Sequence, residues 1–201
     1  MQKEFSNFGD HAQVTMQSNV AGSESVGIEG VYHVVCRDAA GNIKWQDEFP
    51  NLVNAVGKEL MLDTLLSGTS YTTVGPYLGL ISGSSPTFSA SDTMSSHGGW
   101  TEFTNYTVGG SAVRGTASFS AATSTGSTPT NVTTKTASAI TYTITGGGGT
   151  VGGCFLVTGS GASSTQGNTS GTLYSAGAFS TAKVTTAGDT VSVTYSTTAT
   201  S

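Results

Sequence analysis

The chain has 201 residues, enough for one ordinary domain, and a single sandwich or barrel can absorb that length. Only 9% of the residues are charged and the net charge is −5, which excludes the usual composition of a disordered protein. After Lys58 the only basic residues are Arg114, Lys135 and Lys183, so no patch can neutralise several phosphates and direct nucleic-acid binding is not expected.

Residues 1–25 mix Gln, Ser, Asn and Gly with a few large apolar side chains at no regular period. We predict an extended N-terminal arm, because so polar a segment cannot bury enough apolar surface to offset its ordering entropy alone. Phe5, Phe8 and Met16 would then dock on a neighbouring protein, and a frayed terminus without a partner is the alternative. The segment lacks the apolar run of a signal peptide, and no stretch of the chain is long and apolar enough for a membrane span, so no membrane partner is expected.

From Val26 to Arg37 the residues alternate with period two, which predicts a strand. Residues 38–42 then supply turn chemistry, since Gly and Asn tolerate positive φ, and Ile43, Trp45 and Phe49 continue as a return strand. A β-hairpin is therefore expected at the start of a single β-rich domain over residues 26–201.

A helix is predicted from about Leu52 to Leu66, because Pro50 stops the strand and Asn51 is suited to cap a helix. Gly68 stands where a C-terminal glycine is common. One apolar stripe at spacings of three and four residues would pack this helix against the sheet, formed by Val53, Val56, Leu60, Met61 and Leu65.

Beyond the helix the chain is dominated by Gly, Ser and Thr, with short β-branched or aromatic runs between turn-forming clusters. Such repeated short strands predict a mainly β fold, an antiparallel β-sandwich or jelly-roll-like barrel with one α-helix. The runs are 77–81, 101–107, 114–119, 139–144, 154–157, 172–174, 182–185 and 190–195.

No motif of reaction chemistry stands out, and we predict no enzymatic activity, no cofactor and no metal. The histidines, His11, His33 and His97, are far apart and lack metal-ligand spacing. Glycines 147, 149 and 152 match G-x-G-x-x-G, but the following GCFLVTG favours a strand where a dinucleotide site needs a helix, so a β-turn is expected. Cys36 and Cys154 are interpreted as two buried thiols, with a disulfide as the alternative.

The long loop over residues 82–100 is expected to contact a partner, as ordered loops of this length often do. His97 lies near its end. Trp100, Phe103 and Tyr106 form either an exposed aromatic contact strip or part of the core. The predicted partner contacts are Phe5, Phe8, Met16, His97, Trp100 and Phe103.

Several phrases of the chain resemble a family of tailed-bacteriophage structural proteins of similar length, commonly encoded near the major capsid protein. They are YHVVCRDAAGNIKWQDEFPNLV, GKELMLDTLLSG, YLGLISG, SDTMSSHGGWTE, FLVT, SGTLYSAGAF and GDTVSVTY. The resemblance runs from about residue 30 onward. It implies a virion component, made in the bacterial cytoplasm, that decorates the outer head surface and binds the major capsid protein.

Two other functions remain open from the sequence. One is a tail or fibre component, although the repeats and coiled-coil heptads usual in fibres are missing. The other is a carbohydrate-binding β-sandwich, suggested by Trp45, Trp100 and several tyrosines. We expect a homo-oligomer, either a trimer or a dimer, for a capsid-bound domain.

Overall fold

The computed structural model describes residues 27–66, 74–121, 123–125 and 132–200. The predicted arm, with Phe5, Phe8 and Met16, and the predicted cap at Gly68 lie outside these residues. Within them the chain forms one α-helix and thirteen strands. The elements are β1 (Gly27–Arg37), β2 (Ile43–Pro50), β3 (Leu52–Val53), α1 (Ala55–Leu66), β4 (Tyr77–Ser82), β5 (Thr101–Phe103), β6 (Tyr106–Thr107), β7 (Gly115–Thr116), β8 (Thr123–Thr125), β9 (Val132–Thr136), β10 (Ile140–Ile144), β11 (Gly149–Thr158), β12 (Thr172–Thr185) and β13 (Thr190–Thr200).

The strands form two antiparallel sheets that pack face to face. The first sheet has the order β2-β1-β13-β10-β6, with β9 also paired to β13 and β8 paired to β9. The second sheet has the order β3-β12-β11-β4-β5, with β7 also paired to β4. The prediction of a mainly β, antiparallel sandwich with one helix is confirmed for the described residues.

The main core lies between the two sheets and follows the period of two predicted for β1. Tyr32, Val34 and Cys36 point inward from β1 and are fully buried, while Leu80 and Leu156 meet them from the second sheet. A second cluster covers the other face of the second sheet. Because β11 is buried on both faces, it reads as a continuous apolar run rather than an alternating one.

The predicted hairpin is confirmed, and its turn is held by one carboxylate. Asp38 Oδ1 accepts hydrogen bonds from the backbone N–H of Ala40 at 2.9 Å and of Asn42 at 2.8 Å. Gly41 adopts a φ of 88°, a conformation that glycine enters without the steric cost of a Cβ. β1 and β2 then pair antiparallel across this turn.

The predicted start of the helix at Leu52 is wrong, because Leu52 and Val53 form β3 and pair with β12. Asn51 does not cap the helix: its backbone N–H bonds to Gly30 O and its side chain bonds to the Tyr195 hydroxyl. The helix begins only at Ala55. Long-range pairing with β12 thus outweighs the local helix signal at these residues.

The predicted apolar stripe is confirmed only in part, since Val56, Leu60 and Met61 are half-buried but Leu65 is exposed. Gly57 is the buried residue of α1, and a Cβ there would lie 2.7 Å from the carbonyl oxygen of Tyr174 on β12. The helix therefore comes closest to the sheet at a glycine, while Leu65, counted in the stripe, is 75% exposed. Two further leucines, Leu62 and Leu66, lie outside the stripe and are exposed.

Candidate functional site

Two of the predicted partner contacts belong to the core. Trp100 and Phe103 are each only 4% exposed. Trp100 packs in the outer cluster on the second sheet, with its ring centroid 5.1 Å from that of Phe155, and Phe103 lies between the sheets. The exposed aromatic strip is therefore wrong, and the alternative of core-facing side chains is confirmed.

His97 is partly exposed and serves the loop that carries it. Its ring stacks on Trp100 with centroids 3.8 Å apart and an interplanar angle of 17°. Its Nδ1 lies 3.0 Å from the Trp100 carbonyl oxygen, so Nδ1 carries the proton and donates. Because Trp100 is buried and its ring stacks on His97, it offers no open ring face to a sugar.

A groove of about 640 Å³ opens between α1 and one end of the sandwich. One wall is the helix, through Leu60, Met61, Thr64 and Leu65. Pro76, at the entrance to β4, also lines it. The helix wall is mostly aliphatic, so it favours apolar side chains over charged ligands.

The opposite wall is built from both sheets. Leu156 and Tyr174 come from the second sheet, and Tyr195 and Thr197 come from β13 of the first. The Tyr174 hydroxyl donates to Met61 Sδ at 3.6 Å and lies 3.5 Å from Thr197 Oγ1. These contacts join the helix and the two sheets at the groove.

Tyr195 remains a neutral hydroxyl in this groove. Burial raises its pKa to about 12, and its oxygen accepts a hydrogen bond of 3.0 Å from Asn51 Nδ2. The lining residues thus contribute hydroxyl groups but no ionised side chain. The groove is suited to binding apolar groups rather than to acid–base chemistry.

Two leucines point away from the groove on the other side of α1. Leu62 and Leu66, the outer leucine pair, are 58% and 80% exposed and stand one helical turn apart. Neither lines the groove. Sequence reasoning missed this pair because it assigned one apolar stripe to the helix, whereas five apolar residues within 60–66 are too many for one face.

The two cysteines are buried free thiols, as predicted. Burial raises the pKa of Cys36 to about 11, with a further contribution from Asp189, and burial raises that of Cys154. Among the described residues no three His, Cys, Asp or Glu side chains group as a metal site. No helix in the described part of the chain is long and apolar enough to cross a membrane.

A buried carboxylate, Asp189, lies at the far end of the sandwich, six residues before Tyr195 of the groove. Asp189 Oδ2 accepts hydrogen bonds from Lys44 Nζ and, at 2.8 Å, from the backbone N–H of Thr186. Burial alone raises the pKa of Asp189, but these hydrogen bonds outweigh it and hold the pKa below its usual value of 3.8. The ionised form is therefore favoured by folding.

We expect this carboxylate to make stability depend on acid pH. Ionised Asp189 stabilises the fold above pH 3.8, the pKa of this side chain in the unfolded chain. That stabilisation is lost as the pH falls from 3.8 through the lower pKa of the folded state. Asp189→Asn should therefore lower the free energy of unfolding at pH 7, and the gap to the wild type should narrow below pH 3.8. Urea unfolding measured across this range checks it; an equal gap at every pH would contradict the lowered pKa.

Comparisons of the chain with protein-family models, with curated proteins and with solved structures find no match. We therefore describe the class of this protein from its fold and its surface alone. It is a charge-poor antiparallel β-sandwich that carries an apolar groove and a pair of exposed leucines at one end.

Proposed function

We propose that this chain is a bacteriophage capsid decoration protein, which binds the outer surface of the head and stabilises the lattice of the major capsid protein. The resemblance of its sequence to tailed-phage structural proteins supports the virion role. The outer leucine pair is the structural observation that carries the proposal further, because it provides a surface for binding another protein. The role requires neither catalysis nor a cofactor.

The surroundings of the outer leucine pair match those of a protein interface. Lys58, Glu59 and Asp63 are exposed on the same helix and place polar groups around the two leucines. Protein interfaces commonly combine an apolar centre with a polar rim. Full burial of a leucine contributes about 1.5–3 kcal/mol, so burial of this pair would add measurably to the affinity of a larger contact.

Stabilisation of a capsid would follow from mass action. A copy that binds only the assembled lattice stabilises that lattice by its own binding free energy, and every further copy adds the same term. Assembly as a dimer or trimer, which is part of the proposal, would add avidity, since linked sites bind together more tightly than single ones. A surface poor in charge and rich in hydroxyls suits this role without requiring contact with packaged DNA.

The proposal predicts that Leu62→Asn combined with Leu66→Asn lowers the occupancy of heads at limiting protein concentration by at least roughly tenfold. A loss of about 1.4 kcal/mol in binding free energy is enough for a tenfold change in affinity. This is less than the burial of one leucine contributes. The measurement is the number of bound copies per purified head, by quantitative gel analysis and by reconstruction of decorated particles. Val184→Asn, at a 66% exposed residue of β12, is the matched control and should bind as the wild type does.

Two outcomes would contradict the proposal. Undiminished occupancy by the double variant would remove the outer leucine pair from the interface. A reconstruction of virions with this protein confined to the tail would replace head decoration by the tail or fibre function.

A further inference from the structure

The groove between α1 and the sandwich is an apolar surface that no described segment of the chain fills. Leu65, at its helix wall, is 75% exposed although it faces Leu156 and Tyr174 across the groove. Apolar surface left open to water in this way is unfavourable. A protein segment that covered the groove would remove this unfavourable exposure.

The described chain begins beside this groove. In the pairing of β1 with β13, Gly30 is directly opposite Thr197, which lines the groove, and Thr197 Oγ1 donates to Glu29 O at 3.1 Å. Gly27 is three residues earlier, which is about 10 Å along a strand. Ile28 is partly buried on the inward face that Gly30 and Tyr32 continue. The chain preceding Gly27 therefore starts about 10 Å from the groove residue Thr197.

The length and composition of that preceding segment suit the groove. Residues 1–26 could span roughly 85 Å if extended, far more than is needed to turn back into it. Their large apolar residues, Phe5, Phe8, Val14 and Met16, are set among Gln, Ser, Asn and Gly. The groove lining lacks ionised side chains, so apolar residues are the ones it would select.

We infer that residues 1–26 of the same chain occupy the groove, with Phe5, Phe8 and Met16 as the side chains that fill it. The covalent link favours this occupant over a second molecule, since a short tether gives an effective concentration of about millimolar. The inference does not rest on capsid binding, because the outer leucine pair lies outside the groove. The sequence alone predicted that the arm docks on a neighbouring protein, whereas here the arm would cover the groove of its own domain.

A nitroxide label at the groove tests this inference in the full chain. Thr64→Cys places an exposed thiol at the helix wall, and labelling is selective because Cys36 and Cys154 are fully buried. We expect the amide NMR signals of Phe5, Phe8 and Met16 to lose intensity several-fold and to recover when the nitroxide is reduced. The same label at Ala40→Cys is the control, since the β1–β2 turn lies at the opposite end of the sandwich, and it should leave these signals unchanged.

Two further samples decide between occupants. Phe5→Ala, Phe8→Ala and Met16→Ala together, in the Thr64→Cys chain, should abolish the loss of intensity. A mixture of labelled chains without ¹⁵N and unlabelled chains with ¹⁵N should show no loss in either the arm or α1. In the mixture, loss of arm signals would mean that the arm is exchanged between copies, and loss of α1 signals would mean that a second copy covers the groove. Absence of signal loss in every sample would place the arm outside the groove. Each of these three results overturns the inference.

Discussion

Replacement of Arg114 by leucine is expected to lower the free energy of unfolding by about 3–5 kcal/mol. The Arg114 and Glu102 side chains are 1% and 7% exposed and form a bidentate pair. Arg114 Nε donates to Glu102 Oε1 at 2.9 Å and Nη2 donates to Glu102 Oε2 at 2.6 Å. Without the guanidinium, the carboxylate would stay buried with its charge uncompensated.

The cost should be high because the pair also orders a loop. Arg114 Nη1 donates to Ser163 O at 3.1 Å and Nη2 to Asn168 O at 2.7 Å. Glu102 Oε2 accepts from the backbone N–H of Gly167 at 2.7 Å. The ion pair thus fixes the segment between β11 and β12 against β5, and loss of Arg114 leaves several of these groups unpaired.

Chemical denaturation of the variant against the wild type measures the effect. Arg37→Leu is the matched control, because Arg37 is exposed and its Nη1 donates to Gly41 O of the nearby turn at 3.1 Å. Its replacement should cost less than about 1 kcal/mol. Adding Glu102→Leu to Arg114→Leu should restore part of the stability, since no unpaired charge then remains. Equal losses for Arg114→Leu and Arg37→Leu would contradict the structural role of the pair.

Local patterns in the sequence predicted the parts of the fold that depend on neighbouring residues. The alternation over 26–37 and the turn residues after it specify the hairpin, because side-chain period and turn chemistry act within a few residues. The short β-branched runs predicted the sandwich in the same way. β3 and the start of α1 were missed because the pairing of Val53 with Ser175 joins segments far apart in the chain.

The candidate site was less accessible to sequence reasoning. Its walls combine Leu65, Tyr174 and Thr197, which only the packing of the helix on two sheets brings together. Arg114 and Glu102 carried one usable signal, since isolated charges inside strand-like runs of a charge-poor chain are candidates for a buried pair. The exposure of Leu62 and Leu66 also had a signal, namely a helix segment apolar on more than one side.

The glycine-rich stretch that matches a nucleotide-binding motif includes positions where two backbones come too close for a Cβ. The expected turn is confirmed by the hydrogen bond from the Gly148 N–H to Thr145 O at 3.1 Å. The expected strand is confirmed as well, since β11 begins at Gly149 and continues through Gly152 and Gly153. The register of β11 shifts between Val151 and Gly153 against both neighbouring strands. At Gly153 an added Cβ would overlap the carbonyl oxygen of Gly177 on β12.

Gly153→Ala is therefore expected to lower the free energy of unfolding by about 3 kcal/mol, because the backbones of β11 and β12 must separate in the centre of the second sheet. Gly147→Ala is the control within the same stretch: a Cβ there meets no heavy atom within 4 Å, so its effect should stay within about 0.5 kcal/mol. Urea unfolding of both variants provides the comparison. If Gly147→Ala proved the more damaging change, the glycines would act through the turn, and the role assigned to the contact between β11 and β12 would be wrong.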